Sequence, residues 1–470
     1  MPYSPSSSTP KDLATPQISP NAGHDEPVLD HSGANKVLVE QERKEAAFMT
    51  PMYDRLETNI PRMLMGFSDL DWPEDCQLFP RHEEVMEYIK RYSEDVRHLI
   101  SFGTQVLDVR LDTNKRWLVK TQEVAHDGRG KIDEQTFDAV VVASGHFNVP
   151  YIPSVPGMEA WNKAYPCSIS HSKCYRKPEQ YAGKKVIVVG NSASGIDIGA
   201  QIQTSCKLPL IQSSKSESFL VDEPTKAKVN KPQITSFNSS ARCVTFADGT
   251  VENEVDVILY CTGYFYSFPF LKDIKPPLIT TGERVENLYQ HMLYRSHPTL
   301  AFPVLNQKII PFPLAEAQAA VIARVWSGRL ELPSEDEMEA WEEQVIEDMG
   351  DGRDFHVLKF PRDADYIDML HDWAMSADVN GVQAEKHTNG YVRRRSRPSL
   401  INGERPKLHI GKEPPYWGER EYWMRERFPA IKKAFQTFGD ERHTKRTLED
   451  VGFSFEAWKR EQAEEGRQLL

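Results

Sequence analysis

Lys184 to Ala200 reads KKVIVVGNSASGIDIGA, and the reading of this stretch decides the fold. Val186 to Val189 is a short apolar, β-branched run, the composition of a buried parallel strand. Gly190-Asn191-Ser192-Ala193-Ser194-Gly195 follows at once, and Ile196, Ile198 and Ala200 then begin a helical pattern. Strand, glycine turn and helix in that order form the context in which such a turn holds a dinucleotide. Gly190 permits the tight turn, and Gly195 lets helix and strand approach closely. The free N–H groups and partial positive charge of the helix start would then face a pyrophosphate. Ser192 stands where a second glycine usually brings the backbone to the phosphate, and its small hydroxyl offers a hydrogen bond instead. The same string also suits an ordinary strand-to-helix connection, so the residues beyond it carry weight.

The next apolar run, Leu208 to Ile211, leads into Ser213-Ser214-Lys215. An NAD site wants a carboxylate here, to hold the ribose 2′-hydroxyl. Two hydroxyls and a lysine suit a 2′-phosphate, so the nucleotide expected is NADP(H).

The chain has 470 residues, enough for two or three domains or for one domain carrying an insertion. Its formal charge of −12 argues against a general nucleic-acid binder. The six cysteines show no C-x-x-C pair and no metal-ligand spacing, and are read as reduced thiols, with no metal site. No apolar run is long enough to span a bilayer, and the N-terminus lacks a signal-peptide core, so a soluble cytoplasmic protein with no membrane partner is expected.

Residues 1–48 are rich in Ser, Pro, Thr, Asn and Asp, and read as a disordered leader in which only Lys36 to Val39 resembles a strand. From Pro51 an aromatic- and proline-rich stretch precedes a helix expected to bury Val85, Met86, Ile89, Tyr92 and Val96 on one face. Thr104–Val109 and Arg116–Thr121 read as paired strands around Asp112-Thr113-Asn114. Phe137 to Gly145 and Val255 to Gly263 share one grammar: aspartate, apolar run, small residue, hydroxyl, glycine, aromatic. Both read as buried strands, bracketing the nucleotide unit near the junctions of an inserted domain. Ala315–Trp326 is expected to be helical, with Ser334 and Glu337 forming a capping box for the helix after it. The remainder to residue 470 is charged and helical, with a loop from Asn380 to Glu413. Arg393-Arg394-Arg395-Ser396-Arg397 reads as a solvated part of that loop rather than an import or phosphate patch.

Four separated motifs then agree. They are Asn148–Gly157 (NVPYIPSVPG), His171-Ser-Lys-Cys-Tyr175-Arg-Lys-Pro, Gly183 through Gly195, and Cys261-Thr-Gly-Tyr264. Together they resemble the flavin-containing monooxygenases, most of all the soluble fungal type, over roughly residues 51–326. The family fingerprint F-x-G-x-x-x-H-x-x-x-[FY] appears as Tyr165-Pro-Cys167-Ser-Ile-Ser-His171-Ser-Lys-Cys-Tyr175. Here Tyr165 replaces the first aromatic and Cys167 replaces the glycine. Related Baeyer–Villiger enzymes end this pattern in tryptophan, and Tyr175 argues against them.

The resemblance implies an α/β fold of two dinucleotide-binding, Rossmann-like domains. An NADP(H) domain at 160–265 would be inserted into an FAD-type domain at 49–159 and 266–334, followed by a helical C-terminal extension at 335–470. It implies that NADPH passes a hydride to FAD, that the reduced flavin captures O2 as a C4a-hydroperoxide, and that a soft nitrogen or sulfur attacks the distal oxygen. Small amines, thiols or sulfides are the substrates implied. The protein's task is to orient the rings and exclude water. Thr58-Asn59 matches a family pair whose Asn lies by flavin and nicotinamide, where an amide donates and accepts without changing charge. Asn59 is therefore the candidate catalytic residue. Thr58, His171, Tyr175 and, more weakly, Gln318 join Gly190–Gly195 and Ser213–Lys215 as cofactor-binding candidates. The charged C-terminal helices leave two readings open, a homodimer interface or a cover over the FAD-type domain.

One departure qualifies this expectation. The family opens with a strand, G-x-G-x-x-G and a helix for the FAD pyrophosphate, and residues 1–50 hold no such unit. Three accounts fit: an N-terminally incomplete monooxygenase sequence, a non-catalytic paralogue that binds NADP(H) but not FAD, or a partner chain supplying the missing part. The joint presence of Asn59, His171, Tyr175 and the glycine turn favours the first.

Overall fold

A computed structural model describes residues 49–124, 130–216, 226–377 and 412–468. The expected leader 1–48, its Lys36–Val39 strand, Arg393–Arg397 and all of the Asn380–Glu413 loop except Lys412 and Glu413 lie outside the described residues. The fold is α/β with a helical C-terminal region. The chain divides into two compact units. The first takes the described part of Met1–Leu56 with Val96–Asp138 and Gly145–Glu286. The second takes Glu57–Asp95, Ala139–Ser144 and the described part of Asn287–Leu470.

The first unit is built on five parallel strands in the order Ile169–His171, Val257–Tyr260, Val186–Val189, Leu210–Ser213, Lys228–Lys231. The apolar runs are continuous because both faces are covered. Side-chain alternation sorts them. Ile169, Ile187, Ile211 and Ile258 pack with Trp161, Phe237, Val244 and Phe246. Val186, Val188, Leu210, Val257 and Leu259 pack with Ile198 and Ile202 of the helix Ala193–Ile202, and with Tyr53, Tyr175 and Tyr181. In that helix the buried positions are Gly195, Ile198, Gly199 and Ile202, while Ala200 is exposed. Two three-stranded antiparallel sheets also belong to the unit, Ile234–Asn238 with Cys243–Phe246 and Val251–Asn253, and Thr104–Leu111 with Trp117–Glu123 and Ile132–Phe137. The first turn of the latter sheet forms as expected, with Asp112 Oδ1 accepting from the N–H groups of Asn114 (2.8 Å) and Arg116 (2.9 Å).

The second unit packs the helices Pro311–Trp326, Arg362–Met375 and Glu419–Thr437 around one apolar core. The first of these starts four residues before the expected Ala315, since proline is tolerated within a first helical turn. The capping box at Ser334 forms: its Oγ accepts from Glu337 N at 3.3 Å and Glu337 Oε2 accepts from Ser334 N at 2.9 Å.

Two expectations are corrected. The helix His82–Tyr92 ends before Val96, and Met86, Ile89 and Tyr92 are exposed. Its buried residue is Tyr88, whose ring stacks on Trp72 at 3.9 Å and whose hydroxyl donates to Leu70 O at 2.6 Å. The preceding aromatic loop thus chooses the face, which apolar spacing alone did not reveal. The Phe137–Gly145 run is not a buried strand either. Phe137 ends the exposed strand Ile132–Phe137, and beyond it only Val140–Val141 pairs, at the edge of a four-stranded sheet, with Val141 45% exposed. Its echo Val257–Tyr260 is an interior strand buried at every residue.

Asp368, on the Arg362–Met375 helix, accepts from Trp417 N (2.7 Å) and the Tyr422 hydroxyl (3.3 Å). Burial outweighs these bonds and pushes its carboxyl up to about 7. The folded state then holds a proton that the unfolded chain releases above about pH 4, so this group's stabilisation is lost as pH rises towards 7. Denaturant midpoints measured for Asp368→Asn should lack that component, and a pH dependence identical to the parent chain would refute the assignment.

Candidate functional site

The glycine turn forms where the sequence places it. Gly190 has φ +109°, and a Cβ there would lie 2.4 Å from the Cys261 carbonyl oxygen. A Cβ on Gly195 would lie 1.9 Å from the Gly190 carbonyl oxygen. Both positions therefore demand glycine, the first for conformation and approach, the second for approach alone. Gln212, buried in the neighbouring strand, donates from Nε2 to Gly190 O. Gly190 N donates to Ser213 O at 2.8 Å.

Ser192 is the N-cap of the Ala193–Ile202 helix, but its side chain makes no capping bond. The helix begins with Ser192 and Ser194 exposed and Asn191 and Ala193 half-buried. The first N–H groups have no partner inside the helix, which makes this end an anion-attracting one. Asn191 Nδ2 donates to Ser216 O at 2.6 Å and so ties the turn to the loop that holds Ser214 and Lys215. Lys215 is exposed and Ser214 half-buried.

Three candidates of the first unit sit deeper than the sequence suggested and act as supports. Ser213 is fully buried and donates its hydroxyl to Pro232 O at 2.9 Å. His171 is fully buried, with Nε2 3.0 Å from Gly263 O and Nδ1 accepting from Lys173 N at 3.1 Å. Burial holds its pKa down at about 3, so the ring is neutral and donates from Nε2. Tyr175 is enclosed, donates to Gln201 Oε1 at 3.0 Å and meets the Tyr53 ring edge-on at 5.2 Å. The fingerprint histidine and aromatic thus brace the walls of the turn. Tyr53 in turn donates to Asp197 Oδ2 of the same helix at 2.5 Å.

In the second unit, Gln318 is fully buried and its Oε1 accepts from Val304 N at 2.8 Å. Its Nε2 lies 3.3 Å from both Asn306 Oδ1 and the Tyr366 hydroxyl. Val304 is β-branched with φ +59°, a costly conformation that the Gln318 bond helps to hold. Asn306 is buried, and its Nδ2 has no partner among the described residues. Thr58 N donates to Pro80 O and Thr58 Oγ1 to Ile60 O, both at 2.9 Å. Asn59 beside it is half-buried, and its amide bonds to no described residue.

Sequence reasoning missed Gln212, Asn306 and the Tyr53–Asp197 pair. A polar residue inside the apolar Leu210–Ser213 run was a usable signal for Gln212. The others meet through chain crossings that no local pattern displays.

Comparison with known proteins fits this arrangement. A model of the family described as flavin-binding monooxygenase-like matches residues 37–228 and 225–382. Flavin-containing monooxygenase FMO GS-OX-like 9 of Arabidopsis thaliana is 35% identical over 335 residues, 68% of this chain and 69% of its own length. Thiol-specific monooxygenase of Saccharomyces cerevisiae is 35% identical over 292 residues, 58% of this chain and 65% of its own. The matched stretch therefore spans about two thirds of these relatives. The solved structure of S-allyl-L-cysteine S-oxygenase from Allium sativum superposes with a TM-score of 0.66 at 27% identity, over 95% of this chain and 89% of that one.

Proposed function

This chain belongs to the flavin-binding monooxygenase-like family, and from that premise we propose that it oxygenates a soft sulfur or nitrogen atom of a small molecule, using FAD, NADPH and O2. The observation that carries the reading is the Gly190–Gly195 cradle closed by the Cys261 carbonyl at an uncapped helix start. Sulfur is the favoured centre, because a thiol-specific monooxygenase and an S-allyl-L-cysteine S-oxygenase are among the similar proteins. Cytoplasmic location is part of the same reading. Among the described residues no helix is long and apolar enough to cross a membrane.

The residues fit the two cofactors unequally. For NADP(H), the turn would take the pyrophosphate while Ser214 and Lys215 would take the 2′-phosphate. For the flavin ring, Asn306 Nδ2 and the Asn59 amide, both without a partner among the described residues, would supply hydrogen-bonding groups. Among the described residues the Gly190 turn is the one strand–glycine turn–helix unit, so no residues are assigned to the FAD phosphates. Bound FAD would accept the NADPH hydride and activate O2. Asn59 would donate and accept hydrogen bonds without titrating, and the neutral His171 would hold the Gly263 backbone in place throughout.

The test is a visible spectrum of the purified chain after incubation with FAD and removal of free flavin, then NADPH, then a thiol or sulfide in air. Retained flavin that NADPH bleaches, with sulfoxide or disulfide formed, is the expected result. No retained flavin would leave a non-catalytic NADP(H)-binding chain. Lys215→Ala should weaken NADPH about tenfold and leave NADH unchanged, as loss of one charge-assisted phosphate contact of about 1.5 kcal/mol implies. Equal losses for both nucleotides would move the 2′-phosphate elsewhere.

A further inference from the structure

The C-terminal helix Glu419–Thr437 and the 3-10 turn Gly439–Thr444 lie beyond residue 382, where the family match ends. We propose that they form a clamp that positions Asn59, by fixing the backbone of the two residues before it. The proposal rests on the reading of Asn59 given above and adds a role for a segment that the family match does not cover.

The clamp is polar and enclosed. Lys432 Nζ donates to Thr58 O at 2.9 Å and lies 3.4 Å from Glu57 Oε2. Arg442 reaches Glu57 Oε1 at 3.2 Å, and His443 Nδ1 lies 3.7 Å from the same oxygen. His443 also lies 2.8 Å from Gln77 Oε1, and Leu78 N donates to Lys445 O at 2.8 Å. Lys432 is buried, with its ammonium over the rings of Phe79 (4.5 Å) and Phe435 (5.3 Å). The helix that carries it is itself held by the buried Arg425–Asp363 pair at 2.6 Å.

These contacts converge on the two peptide groups that flank Thr58. Its N–H, in the 57–58 peptide, is taken by Pro80 O, and its C=O, in the 58–59 peptide, by Lys432, so both planes that lead into Asn59 are anchored. Asn59's own amide has no partner among the described residues. A helix serving only as cover would meet this segment through apolar contact. Removing an ammonium and a carboxylate from water is costly, and here the ion pair is spent on fixing a backbone. A loop held in this way keeps its side chain within the small tolerance that positioned chemistry requires.

The experiment uses the full chain as Lys432→Met, Lys432→Arg and, as a comparison, Asn59→Ala. Hydrogen exchange is read first, on the peptide covering Thr58 to Leu64. Lys432→Met should speed exchange there tenfold or more and leave the peptide covering Val186–Ala200 and the NADP+ affinity within twofold. Lys432→Arg should restore most of the protection. In flavin-loaded protein, Lys432→Met should raise the share of NADPH oxidation that ends as H2O2 at least threefold, in the direction of Asn59→Ala. Parent-like exchange in Lys432→Met, or faster exchange with an unchanged peroxide share, overturns the clamp. An inert Asn59→Ala overturns the functional reading instead. If Lys432→Met does not fold, Arg442→Gln at the rim carries the same comparison.

Discussion

Gly195→Ala is expected to lower NADP+ affinity by a hundredfold or more, about 3 kcal/mol, as read by calorimetric titration. The added methyl would sit 1.9 Å from the Gly190 carbonyl oxygen and 2.7 Å from its carbon. Neither atom can yield, because the same oxygen accepts from Gln212 and Gly190 is pressed against Cys261. The turn must open, and the helix start with its N–H groups moves away from the strand. Overpacking of this kind also costs ~1–3 kcal/mol of stability. Gly199→Ala is the internal comparison. Its methyl would meet the end of the Gln212 side chain at 3.0 Å, which can shift, so binding should change only a few-fold. Parent-like binding by Gly195→Ala would show that the nucleotide lies elsewhere.

Acidification should destabilise the chain strongly. Burial holds His171 and His291 at about 3 and His146 at about 4, so all three are neutral in the folded state. The unfolded chain binds protons at these rings below about pH 6.5, so stability is lost as pH falls through that value. At pH 5 each ring contributes roughly 2 kcal/mol of loss, about 6 together. Asp368, with its carboxyl held up at about 7, runs the other way and gains roughly 2 kcal/mol between pH 7 and 5. Denaturant midpoints should therefore fall from pH 7.5 to 5, and fall further in Asp368→Asn. Midpoints that hold steady across this range in the variant would mean that the rings are not buried as described.

The glycine turn was legible because its signals are local. A β-branched run, two glycines and a helix start lie within sixteen residues, and each is dictated by backbone sterics at its own position. His171 and Tyr175 were legible as important but not in kind. Their pattern marked them for the cofactor, whereas their polar atoms are spent on Gly263, Lys173 and Gln201. The exposed stripe on the His82–Tyr92 helix misled because periodicity names a face without naming what covers it. Tyr88 found Trp72 and Phe67, aromatic neighbours from a loop whose path the sequence does not display. The clamp on Thr58 joins residues nearly four hundred positions apart and carries no local signature at all.

The place of Val257–Tyr260 in the sheet has a consequence for synthesis. This strand lies between Ile169–His171 and Val186–Val189, yet it follows the glycine turn by some sixty residues. A nascent chain that has emerged only through Lys231 would expose one edge of Val186–Val189 and lack the Cys261 wall of the turn. The late strand must insert between two that are already made, a step governed by loop closure and slow for parallel pairing. On the function proposed above, nucleotide would first stabilise the emerging chain only when residue 263 has cleared the ribosome.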